Sequence, residues 1–150
     1  MASTVLPTVR LIFPCDDAQI DPQTQKWVIR HPWSTVFLPA GARFPFRLVE
    51  MKVYAQLTDG IGSFRLSVEM VQVRDDGSRR FIGAGAATQM SFPGNQRFLA
   101  LDGVFHMKRV PFREAGLYEF RMIAETGADE FQPLPGQTAL LRVLDQRATP

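Results

Sequence analysis

The chain carries a single cysteine, Cys15, and only two histidines, His31 and His106, among its 150 residues. One thiol cannot close an internal disulfide, so a cysteine-stapled, oxidised scaffold is excluded. Two imidazoles cannot build a three-histidine zinc or copper centre within one chain; any metal site would need carboxylate or thiolate help. No apolar run approaches the roughly 20 residues that a membrane-spanning helix needs. The opening MASTVLPTVR lacks a basic segment followed by an apolar one, so no signal peptide is expected and the cytoplasm is the default location. An excess of one charge is missing too: 17 basic residues face 15 acidic ones, a formal net charge of +2. The signs are interspersed, as in Arg65 to Glu69 and Glu119 to Arg121, which argues against a nucleic-acid surface. The densest basic stretch, Arg74, Arg79 and Arg80, brackets Asp75 and Asp76 and reads as a solvated hairpin end.

What the chain does have is apolar side chains in short, regular runs. They make up 45% of the residues, and twelve phenylalanines supply much of the volume for a core. At this length roughly 70% of the unfolded surface can be buried without a metal or disulfide staple. The apolar positions recur with period two, and turn signals separate the runs. Strands are expected over residues 9–15, 26–38, 44–57, 63–74, 80–90, 97–107, 116–126 and 137–144. Between them, 16–25, 91–95 and 127–136 read as loops, and 145–150 as a frayed tail.

The cleanest alternation sets Phe64, Leu66, Val68 and Met70 on one face and Arg65, Ser67 and Glu69 on the other. In the preceding strand Val49, Met51, Val53, Ala55 and Leu57 share a face. After Met70 the pattern shifts to Val71 and Val73, which predicts a bulge or a passage between sheets. Asp76-Gly77 marks a tight hairpin turn. Asp102-Gly103 suggests a bulge or a break, and His31-Pro32 an edge position, a kink or two short strands. Gly83 and Gly85 sit in a side-chain-poor strand, which predicts close approach of a second sheet. The expected fold is all-β: one antiparallel two-sheet sandwich of about eight strands, Ig-like and Greek-key in type. It fills a single domain, 1–150, with an ordered core over about 9–144.

Several short signatures fall in order along this strand map. Cys15-Asp16-Asp17-Ala18 follows the first strand, Trp33 to Leu38 belongs to the second, and Phe44-Pro45-Phe46-Arg47-Leu48 opens the third. Phe112-Arg113-Glu114-Ala115-Gly116-Leu117-Tyr118-Glu119-Phe120 comes later. This order resembles a family of small bacterial β-sandwich proteins known as a domain of unknown function. Its members often show Cys-Asp-x-Ala after strand one and Phe-x-x-x-Gly-x-Tyr-x-Phe ahead of a late strand. The resemblance spans roughly residues 9–144 and departs at the long 16–25 connection and at His31-Pro32-Trp33. It implies the fold and no site. Tyr118, two residues after Gly116, also resembles a tyrosine corner, whose hydroxyl bonds backbone a few residues upstream.

No catalytic or cofactor motif stands out. Cys15, His31, His106 and Met107 are the residue types of a blue-copper centre, but Cys15 lies far from the C-terminal cluster such proteins show. Asp16, Asp17 and Asp21 match no calcium loop and read as turn chemistry. Cys15 sits beside two carboxylates, which oppose thiolate formation, and core packing explains it better. No Gly-x-Ser-x-Gly elbow occurs. Catalysis, cofactors and metals are therefore not expected, nor are nucleic-acid or membrane partners. The segment 27–46 holds Trp27, Trp33, Phe37, Phe44 and Phe46 broken by prolines, which favours an exposed aromatic patch. Trp33, Phe37 and Phe44, with Arg43, are the expected anchors for a protein partner, a second copy included. Two other readings stay open: a carbohydrate-binding module using Trp27 and Trp33, and a small hydrolase using His31 or His106 beside a carboxylate.

Overall fold

The computed structural model describes residues 4–94 and 99–145. These form eleven strands and no helix, so no helix among them is long and apolar enough to cross a membrane. The strands are β1 (Thr8–Ile20), β2 (Trp27–Pro32), β3 (Thr35–Phe37), β4 (Phe46–Thr58), β5 (Gly62–Val73) and β6 (Arg79–Ala84). Then follow β7 (Thr88–Phe92), β8 (Leu101–Phe112), β9 (Gly116–Gly127), β10 (Glu130–Pro133) and β11 (Ala139–Leu144). Four make one sheet, in the order β2-β1-β4-β8. Seven make the other: β3-β11-β9-β5-β6, with β7 also on β5 and β10 also on β9.

The sheets pack face to face because their alternating apolar positions meet. Met51, Val53, Ala55 and Leu57 of β4 join Leu66, Val68 and Met70 of β5 and Tyr118, Phe120 and Met122 of β9 in one core. Burying a side chain of this size contributes about 1.5–3 kcal/mol of transfer free energy.

Eleven strands replace the expected eight because two long runs divide and one expected loop contains a strand. Residues 26–38 become β2 and β3, which belong to different sheets. The crossing at Trp33 is tied down: its amide donates to the Pro14 carbonyl at 2.8 Å and its indole to Asp16 at 2.7 Å. Residues 80–90 divide into β6 and β7, which lie one after the other along β5. The expected loop 127–136 contains β10, paired with the end of β9. The pairing is not wholly antiparallel either, since β3 runs parallel to β11.

Other local expectations change as well. β1 continues through Asp16 to Ile20, and the turn is confined to the residues before β2. β8 runs unbroken through Asp102-Gly103, with Gly103 opposite Ala55. Val49 is thrown into solvent at 82% exposure, not turned inward with Met51. The reason lies opposite it: Arg109 adopts φ 53°, and around Val49 and Arg109 both strands change which parity faces the core. Leu99 is exposed and precedes β8. Arg97, expected to open that strand, and the tail after Asp145 lie outside the described residues.

The shift after Met70 proves to be on the β6 side. The β5–β9 register is continuous from Leu66 opposite Ala124 to Val73 opposite Leu117, so Gln72 stays inward and Val71 outward. The irregularity falls between β5 and β6 alone.

Candidate functional site: a cleft beside the tyrosine corner

Gln72 is where the inward row of β5 turns polar, and it lies at the end of the core, opposite Tyr118. It is nine-tenths buried. Its amide nitrogen donates to Glu114 Oε1 at 2.7 Å, while its carbonyl oxygen has no partner among the described residues. A buried acceptor left in that state costs about 1–3 kcal/mol.

Above it opens a cleft of about 650 Å³ at the end of the seven-stranded sheet. Val73, Leu117 and Leu144 supply apolar surface, and Arg74, Glu114 and Arg142 bring charge. Each wall is fixed by its own local bonding. The Tyr118 hydroxyl donates to the Glu114 carbonyl at 2.7 Å, the tyrosine corner that pins the turn from β8 into β9. Burial raises the pKa of that hydroxyl, outweighing the opposing effect of hydrogen bonding with Glu114. On the other side the hairpin is closed by Arg74 N–H to the Ser78 carbonyl and Gly77 N–H to the Arg74 carbonyl, both 2.9 Å. Ser78 N–H also donates to Asp76 at 2.8 Å, and hydrogen bonds with Ser78 lower that carboxyl's pKa.

The cleft opens beside the outer face of the same sheet. Leu140, Glu119, Val71 and Phe81 form one cross-strand row over β11, β9, β5 and β6. Register puts Phe37 on this face beside Leu144, and Phe131 beside Glu125. Phe81, Phe131, Leu140 and Phe37 are 61%, 56%, 52% and 51% exposed. Between them lie three ion pairs, Arg79–Glu119, Arg121–Glu69 and Arg65–Glu125. Burial acts to raise the Glu119 carboxyl, yet hydrogen bonds from Arg79 and Thr138 and the charges of Arg79 and Arg121 hold it below its ordinary value.

The anticipated anchors occupy different environments. Phe37 is exposed on this outer face, and Arg43 is exposed in the loop that follows β3. Trp33 and Phe44 are half-buried and pack against the main core. Trp27 packs elsewhere, in a second cluster with Cys15, Tyr54 and Phe13, its ring 5.6 Å from Tyr54. The two tryptophans thus join different clusters. Burial, more than the nearby carboxylates, raises the pKa of the Cys15 thiol. Both histidines stand near a carboxylate, His31 at 2.7 Å from Asp16 and His106 at 3.5 Å from Glu50, and both are exposed. Asp16 is held below its ordinary value chiefly by the His31 bond. Asp17 pairs with Lys52 at 2.9 Å, and Asp21 accepts the Gln23 amide at 2.9 Å.

Gln72, Leu117, Leu140 and Arg142 were not among the expected site residues. A sequence signal existed for Gln72 alone, a glutamine in the inward series after Leu66, Val68 and Met70. A family model described as "Family of unknown function (DUF6941)" matches residues 10–129. No curated protein matches the chain.

Proposed function

The chain belongs to this family of unknown function, and we propose that it is a non-catalytic protein-interaction domain whose contact face is the outer side of the seven-stranded sheet. The observation that carries the reading is the row Leu140–Glu119–Val71–Phe81, with apolar side chains exposed at both of its ends. Neighbouring strands lie about 4.8 Å apart, so those ends are roughly 14 Å from one another. Exposed aromatic and aliphatic side chains set around paired charges suit a protein surface, because the apolar groups gain from burial and the neutralised centre resists it least. Phe37 extends the same face, and Arg43 stands on the loop beyond it.

The reading also takes the two sheets as a Greek-key, Ig-like sandwich forming one domain. Repeated passage of the chain between sheets speaks for this. A cytoplasmic setting suits the free, buried thiol of Cys15.

The test is the double substitution Phe81→Ser with Leu140→Ser. Both sites are exposed, so stability should change by no more than about 0.5 kcal/mol for each. Sedimentation mass and quantitative recovery of bound protein from the native host are then compared with wild type. Recovery or assembly should fall about tenfold or more, the size of a lost interface anchor. Undiminished association overturns the reading, as does a wild-type chain that stays monomeric and recovers nothing.

A further inference from the structure

Three arginines on the outer face of the large sheet each have a glutamate: Arg65 with Glu125, Arg79 with Glu119, and Arg121 with Glu69. At the cleft this pairing stops. Arg74, Arg142, Asp75 and Glu114 all line it. Yet among the described residues the guanidinium groups of Arg74 and Arg142 make no ion pair, and neither does Asp75. Opposite charges share one cleft without meeting.

Glu114 is held by a residue that serves stability poorly. The Gln72 amide, buried with its carbonyl unpartnered, directs its nitrogen to Glu114 Oε1 and leaves Oε2 for another donor. The backbone of Glu114 is separately pinned by Tyr118. A glutamate held once at its carboxylate and once at its backbone, two guanidinium groups without an ion pair among the described residues, and an apolar floor of Val73 and Leu117 form a site of mixed charge. Val73 and Leu117 lie two residues along their strands from Val71 and Glu119, so the floor continues the row that ends in Phe81 and Leu140.

We propose that this cleft receives an extended, mixed-charge peptide segment of a protein partner. An acidic side chain of the segment pairs with Arg142 and Arg74, a basic one pairs with Glu114, and an aliphatic one lies on Val73 and Leu117. The inference rests on the interaction function proposed above and identifies the part of the partner that enters the cleft. A free phosphate or other simple anion suits the site less well, since Asp75 and Glu114 would repel it.

The experiment uses the full chain, labelled with nitrogen-15, and a pool of capped tetrapeptides. Each peptide has an acidic and a basic end residue around two aliphatic ones, and the pool contains both orders. Saturable shifts should appear at the amides of Arg74, Ala115, Gly116, Leu117 and Arg142, and should weaken as salt is raised. A pool with glutamine at both ends should bind about tenfold more weakly, as should the mixed pool on Arg142→Gln or Glu114→Gln. Arg30→Gln, on an exposed arginine of β2 in the four-stranded sheet, should leave binding unchanged. Equal binding of the neutral pool, shifts confined to other regions, or no saturable shift overturns the proposal. Saturation by free glutamate or lysine at the same concentration overturns the peptide assignment. Peptide binding with normal association of the Phe81→Ser/Leu140→Ser variant retains the cleft and removes the face. Loss of association in that variant, with no peptide bound by wild type, does the reverse.

Discussion

Tyr118 ties the turn from β8 into β9 through one hydroxyl, donated to the Glu114 carbonyl at 2.7 Å. Tyr118→Phe keeps the ring and removes the bond, so stability should fall by about 1 kcal/mol. An unchanged denaturation midpoint would show that the corner adds nothing. Glycines separate as sharply by position. A Cβ at Gly136 would stand 2.3 Å from the Val9 carbonyl oxygen, at φ 107°. That contact is rigid, because Val9 N–H donates to Pro135 and Gln137 N–H donates to Val9. Gly136→Ala should therefore destabilise by about 3 kcal/mol or more, through strain and the lost clasp. A Cβ at Gly83 would meet none of the described residues within 4 Å, so Gly83→Ala should stabilise by roughly 0.5 kcal/mol. Thermal melts of the pair would check both signs. Close approach of the second sheet, expected for that strand as a whole, holds at Gly85, where a Cβ would stand 3.1 Å from the His106 carbonyl oxygen, but not at Gly83.

Among the elements, β9 carries both a core face and a charged one. Its Glu119 is buried, and partners hold its pKa below the ordinary carboxylate value. A depressed folded-state pKa contributes stability that is fully present above the unfolded value and is lost as pH falls through the folded one. Unfolding midpoints should therefore drop on acidification below about pH 4.5. Glu119→Gln should flatten that decline, and an identical slope in the variant would remove Glu119 as its cause. On β1, Cys15 lies buried with Tyr54, and burial keeps its thiol protonated. Native protein should react with a thiol reagent at least about tenfold more slowly than unfolded protein. Equal rates would mean the cluster opens freely. The strands themselves were readable where one face meets the core, as in Leu66, Val68 and Met70. They were half legible where two partners disagree: the irregularity expected after Met70 is present against β6, but β5 keeps its register with β9 and its faces do not swap, and a single sequence cannot display both neighbours.

For the whole molecule, assembly is the property that tests the functional reading. Phe81→Ser with Leu140→Ser should reduce association while leaving the melt nearly unchanged, because neither side chain belongs to the core. The candidate surface was only partly legible. Phe37 was anticipated as exposed and is, whereas Trp33 and Phe44 pack inward against the core. Proline punctuation marked the crossing between sheets but not the direction in which each ring would turn. That direction depends on Asp16 and the Pro14 carbonyl, which come from another strand.

Hydrophobic spacing of two by itself determined an all-β chain with two packed faces, because a pleated strand must send alternate side chains to opposite sides. The scarcity of cysteine and histidine likewise excluded a disulfide framework and a three-histidine metal centre without reference to any fold. Tertiary structure alone decided which polar side chains would meet. Gln72 reaches Glu114 across 42 positions and Arg121 reaches Glu69 across 52. Arg74, Arg142 and Glu114 come together in one cleft. Such meetings follow from strand order and register, which are set jointly by all the neighbours of a strand and not by its own residues.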